Sequence, residues 1–254
     1  MKTSFFIVVL IIIFFSCSSH KEINPKNCEE LKSQGLIDSF QYPFKPGSAE
    51  WGKLTSSTEM INAVTVPQNE LQSMCTHGLV YTCIYCPLFI DLFVCNHIRD
   101  CFLGLTENVN SFGELITRSD AGIELFNYYE NFFDTTKSST KYFEAQFKIY
   151  GIETFFAQQE FLTTLNEQEL KDVLIDAYSK LKYKQRNNVS RMFINSSNYL
   201  LSNILYHNLH YEPLIELIDR NDMSWFLYDQ MWFVNQPIDS IEYFTERYIV
   251  DHSK

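Results

Sequence analysis

The run from Asn166 to Arg186 reads as an amphipathic helix and as nothing else. Leu170, Val173, Leu174, Ala177 and Leu181 recur at intervals of three and four, which places them on one face. Asn166-x-x-Glu169 has the form of a capping box, in which two side chains satisfy backbone N–H groups that the first turn leaves open. Glu167, Glu169 and Asp172 lie early, and Lys180, Lys182, Lys184 and Arg186 lie late. That order complements the helix dipole, so the basic run reads as dipole matching rather than as a binding patch.

Similar signals recur along the chain. Ser56-x-x-Glu59 is a capping box ahead of Met60, Ile61 and Val64, and Pro67 suits the first turn of the next helix. Thr76 is a candidate cap for a helix over 77–86, and an apolar stretch follows from Pro87 to Val94. Ser111-x-x-Glu114 is a further capping box, and Asp120 can cap the helix that carries Ile123, Leu125, Phe126 and Tyr129. Asp134 to Ser139 reads as a loop, and Tyr142 to Leu165 as helix interrupted near Gly151. Helices over 195–206 and 213–219 precede an aromatic-rich end from Trp225 to Tyr248. No period-two alternation persists, and 8 Gly and 7 Pro in 254 residues exclude a turn-dense β-sandwich. The expected fold is all-α, a stack of α-hairpins with a solenoid as one form, although no repeat period is present. It occupies 51–254, with a candidate sub-boundary near 134–140.

The N-terminus addresses location. One Lys precedes an apolar run from Phe5 to Phe15, about 11 residues, where a spanning helix needs roughly 20. The run ends Ser16-Cys17, a small residue followed by Cys, which resembles the lipobox of bacterial lipoproteins. Residues 1–16 are therefore expected to be a cleaved signal and Cys17 the lipidated first residue, with 17–50 as a polar tether. An ordinary signal peptide and an uncleaved helix are the alternatives. Ser18 is not an aspartate, so the enteric inner-membrane retention signal is absent and the outer membrane is favoured. The expected partners are a membrane, through lipid on Cys17, and an envelope protein. The formal net charge of −11 disfavours nucleic acid, which needs a positive field.

From Trp51 onward the chain carries Trp51-x-x-Leu54, Glu59-Met60, Pro67, Leu71-x-x-Met74-x-Thr76, Leu79-x-x-Thr82-Cys83, Pro87-Leu88-Phe89 and Arg118-x-Asp120-Ala121. These residues resemble an uncharacterised family of predicted all-helical bacterial lipoproteins. Coverage is best from Trp51 to Tyr129. The resemblance implies location and a helical fold, and it brings no catalytic residue. Cys83 is typical of the family, whereas the position of Cys86 is usually aromatic there, so a family-wide redox pair is not implied.

Six cysteines remain besides Cys17, namely Cys28, Cys75, Cys83, Cys86, Cys95 and Cys101. Three readings stay open for them. They can form disulfides, as an oxidising compartment allows. They can pack as free thiols on apolar faces. They can do chemistry: Cys83-Ile84-Tyr85-Cys86 has the spacing of a redox dithiol, and Cys75, His77, Cys83 and Cys86 are four candidate metal ligands. The redox spacing falls near a helix end, where the dipole opposes a thiolate. His207-x-x-His210-x-Glu212 also groups ligand types, and Trp225 to Phe233 is a candidate aromatic platform. No P-loop, dinucleotide fingerprint or zincin helix is present, and no cofactor is expected. The function expected is a non-enzymatic binding or scaffold module at the envelope. The alternative is a thiol- or metal-dependent hydrolase using Cys75 to Cys101.

Overall fold

A computed structural model describes residues 25–93, 97–136, 142–221, 224–227 and 238–252. The apolar run, Cys17, Cys95 and most of the aromatic stretch 225–233 lie outside the described residues. Every regular element among the described residues is helical. The first half holds α1 (Pro25–Ser33), α2 (Ser57–Ala63), α3 (Gln68–Ser73), α4 (Thr76–Ile84), α5 (Ile98–Asn108), α6 (Asn110–Leu115) and α7 (Ala121–Thr136). The second half holds α8 (Tyr142–Phe156), α9 (Gln159–Leu162), α10 (Glu167–Arg186), α11 (Arg191–Asn203), α12 (Glu212–Arg220) and α13 (Ile238–His252). The fold is all-α. Its most extensive pairings include α8 with α11 and α4 with α7, which cross intervening helices. No repeating pattern of pairings marks a solenoid among the described helices.

Local signals act where their partners are local. Both reciprocal hydrogen bonds form in the capping boxes at Ser56–Glu59 and Asn166–Glu169. Leu170, Val173, Leu174, Ala177 and Leu181 are all buried. Three expectations are corrected by tertiary contacts. The Ser111–Glu114 box does not form, because α6 begins at Asn110 and Ser111 is buried inside it. Helix α8 runs through Gly151 without a break, because the missing side chain admits the Phe89 ring, whose Cε1 would lie 2.7 Å from a Cβ. Of the expected loop, Asp134 to Thr136 belong to α7, and residues 137–139 lie outside the described residues. Helices α7 and α8 pack on each other and share one core.

The stretch read as a polar tether differs most. Residues 25–33 are helical, and Cys28 is bonded to Cys75 across 47 residues of sequence. Closing a loop of that length removes about 4 kcal/mol of unfolded-chain entropy in the chain-entropy picture. Farther on, Tyr42 is buried in the core, and Phe40 N–H donates to Thr82 Oγ1 at 2.9 Å. The domain therefore includes much of what the sequence assigned to the tether.

The basic end of α10 keeps Lys184 and Arg186 in the last turn, as dipole matching expects, but Lys184 has a further role. Lys184 is fully buried and its Nζ lies 2.6 Å from Glu153 Oε2. The ammonium also donates to Phe193 O at 2.8 Å and Ser197 Oγ at 2.9 Å, so all three of its protons are used. Glu153 further accepts from Tyr129 OH at 2.7 Å, from Ser197 Oγ at 2.9 Å and from Ser196 Oγ. Four helices, α7, α8, α10 and α11, meet at this one ion pair. Burial lowers the Lys184 pKa below the ordinary lysine value, and Glu153 opposes the shift.

Removing one partner strands the other charge in the core. Lys184→Met is expected to cost about 3–5 kcal/mol in urea unfolding, and adding Glu153→Gln to it should recover part of the loss. A single-variant cost below about 1 kcal/mol would show the pair to be idle.

Candidate functional site

The candidate ligands Cys75, His77, Cys83 and Cys86 do not come together. Cys75 is held in the disulfide with Cys28, so it has no thiolate to give. Among the described residues, the sole group of three metal-type ligand atoms within 4.8 Å of one another is Asp38, Cys75 and His77. With the sulfur bonded, two donors remain, which is no metal centre. Cys101 is likewise disulfide-bonded. Cys83 and Cys86 are free and buried. Burial, then the neighbouring Cys86, pushes the Cys83 thiol well up. Burial also raises Cys86, to about 11, against a Leu88 N–H that favours the thiolate. A nucleophilic or redox thiol needs the opposite shift.

What surrounds His77 is a cleft of about 300 Å³. The sequence reading misses most of it. Helix α4 contributes His77 and Tyr81, four residues apart on one face, and α7 contributes Glu124, Asn127, Tyr128 and Asn131. The third wall comes from α1 and the segment after it, through Lys32, Leu36 and Ile37. Two restraints hold that wall besides the disulfide. Lys32 pairs with Glu124, whose side chain is 6% exposed. Asp38 Oδ2 accepts from the Cys75 N–H at 2.8 Å and so caps α4. Thr76, the expected cap, is instead inside the first turn, and its hydroxyl donates to Asp120 Oδ1 at 2.8 Å. The approach of Asp38 requires Gly78, where a Cβ would collide with the carboxylate.

The polar atoms of the cleft are unevenly satisfied. His77 Nε2 lies 3.2 Å from the carbonyl oxygen of Leu36 and 3.9 Å from Asp38 Oδ1. A carbonyl only accepts, so Nε2 carries the proton. In the neutral ring, Nδ1 is then a bare acceptor. Among the described residues, His77 Nδ1 is buried without a hydrogen-bond partner, and the buried Tyr128 hydroxyl interacts with the Tyr85 side chain. Burial, with Tyr85 and Tyr81 nearby, raises the Tyr128 pKa, so the group stays a neutral hydroxyl. Leu36 and Ile37 are 50% and 42% exposed and supply an apolar rim. Among the described residues, no Ser, Thr or Cys lines the cleft. Its chemistry is that of hydrogen bonding and apolar contact.

The residues His207, His210 and Glu212 lie elsewhere. The helix after α11 widens to a π-turn over Ile204–Asn208 and ends, with His210 in the left-handed region at φ 47°. The two histidines therefore do not lie one turn apart on a continuous helix. His210 and Glu212 line a second, open cleft of about 690 Å³ with Glu167, Tyr211, Tyr248 and His252. Burial, then His210, lowers the His207 pKa.

Arg118 and Asp120, part of the family-like pattern, have structural work. Arg118 donates to the carbonyls of Leu71 and Met74 at 3.3 Å and to Glu114 at 2.8 Å, and Asp120 holds Thr76. Together they fix the α3–α4 corner beside the cleft. No protein family, curated protein or solved structure matches this chain.

In the folded protein, a thiol reagent at pH 8 is expected to leave Cys83 and Cys86 unmodified, and denaturant should expose both. Peptide mass spectrometry reads this directly; fast labelling of either in the native state would contradict it.

Proposed function

We propose that this chain is an exported, lipid-tethered helical binding module of the bacterial envelope, with the His77 cleft as its binding site. The observation that carries the reading is the Cys28–Cys75 bond. Disulfides form and persist in oxidising compartments, which fits the export signal read over residues 1–16. Lipid on Cys17 would anchor the chain, and Ser18 favours the outer membrane. Cys17 and Cys28 are eleven residues apart, which spans at most about 40 Å. The disulfide thus keeps one wall of the cleft on a short leash from the membrane surface.

A binding role fits the cleft better than the thiol- or metal-dependent hydrolase. That enzyme would need a thiolate or a ligand set, and Cys75, Cys83 and Cys86 supply neither. Rigidity also favours binding, because a wall pinned by a disulfide, a helix cap and an ion pair loses little freedom when a ligand enters.

Two measurements on cells test the placement. Cys17→Ala should move the protein from the membrane fraction to the soluble envelope fraction. Non-reducing peptide mapping of the wild-type chain should yield a Cys28–Cys75 linked pair. An unchanged membrane association, or reduced Cys28 and Cys75 in cells, would contradict the reading.

A further inference from the structure

The cleft's polar inventory narrows what it can take. This step rests on the proposed binding role. The charged groups at its wall, Lys32 and Glu124, are paired with each other. A ligand with a full charge would have to break that pair or sit beside a mismatched one. His77 Nδ1 asks for a donor, and the Tyr128 hydroxyl, on a residue only 5% exposed, keeps hydrogen-bonding capacity beyond its interaction with Tyr85. A hydroxyl can serve both, donating to the imidazole and accepting from the tyrosine. Leu36, Ile37 and the Tyr81 ring suit an apolar or aromatic body, and the Asn127 and Asn131 amides line the cleft beside them. A volume of about 300 Å³ lies at the lower end of small-molecule sites, so the body is about one ring in size.

We infer that the His77 cleft binds a small, uncharged hydroxyl compound of the phenol class, whose O–H donates to His77 Nδ1. Buried acceptors left without a donor are costly, so the site discriminates by the presence of that proton more than by shape.

The probes are p-cresol and its methyl ether, 4-methylanisole, which keeps the ring and loses the donor. Each is titrated into the full chain carrying Cys17→Ser, with the Cys28–Cys75 bond intact, and followed by the imidazole proton signals of His77. The expected result is saturable binding of p-cresol, with 4-methylanisole roughly fivefold or more weaker. His77→Phe keeps the ring volume and removes Nδ1, so the two probes should then bind alike. Tyr128→Phe, the milder change, should weaken p-cresol while keeping its preference over the ether. This second variant carries the test if circular dichroism shows His77→Phe to be unfolded. Equal binding of the two probes to the wild-type chain, binding of neither, or a preference that survives in folded His77→Phe would overturn the inference. A chain that is exported and tethered but indifferent to p-cresol overturns this ligand class alone. A chain that binds p-cresol but is not membrane-bound overturns the placement alone.

Discussion

The Glu153 carboxylate is the point on which the helices agree. It sits in the core with no exposure and gathers donors from α7, α10 and α11 while belonging to α8. A charge so placed is tolerable only when every lone pair has a partner and a counter-charge lies beside it. Lys184 provides the counter-charge and spends its remaining protons on Phe193 and Ser197. Apolar packing alone would let these helices slide past one another at modest cost. A satisfied buried ion pair does not, because each displacement strands a charge. The register of α7 that results is what aims Glu124, Asn127, Tyr128 and Asn131 at the cleft.

The other side of the cleft is held by different means. The described residues before residue 43 hold one short helix, α1. This segment is fixed by covalent and polar ties: the Cys28–Cys75 bond, the Asp38 cap on α4 and the Lys32–Glu124 pair. Asp38 serves twice, because its second oxygen lies toward His77 Nε2 and, with the Leu36 carbonyl, faces the protonated side of the ring. One short segment thereby closes the cleft and orients the acceptor within it.

What the sequence makes legible follows from how local each signal is. The capping boxes at Ser56 and Asn166 need only residues three positions away, and both form. The face of α10 is readable for the same reason. Ser111 has the same spacing and fails, because the preceding Val109 takes the cap position and Asn110 is engaged with Val66 through two hydrogen bonds. Gly151 looks like a helix break and is a packing site for Phe89. Lys184 reads only as a dipole-matching charge because its partner, Glu153, is 31 residues away. The cleft shows this most clearly. Its residues come from three segments, and His77 is the one the sequence singles out, for metal chemistry that the Cys28–Cys75 bond removes.

The account turns on one proton. If Asp38 and the Leu36 carbonyl orient His77 as described, its neutral ring is protonated at Nε2 and bare at Nδ1. Long-range ¹H–¹⁵N correlation spectra of the imidazole at pH 7.5 distinguish the two tautomers. The account predicts the Nε2–H form, with the Nδ1 resonance of an unprotonated nitrogen that shifts when a donor enters the cleft. A ring protonated at Nδ1 would contradict it, because the cleft would then offer a donor where an acceptor is required.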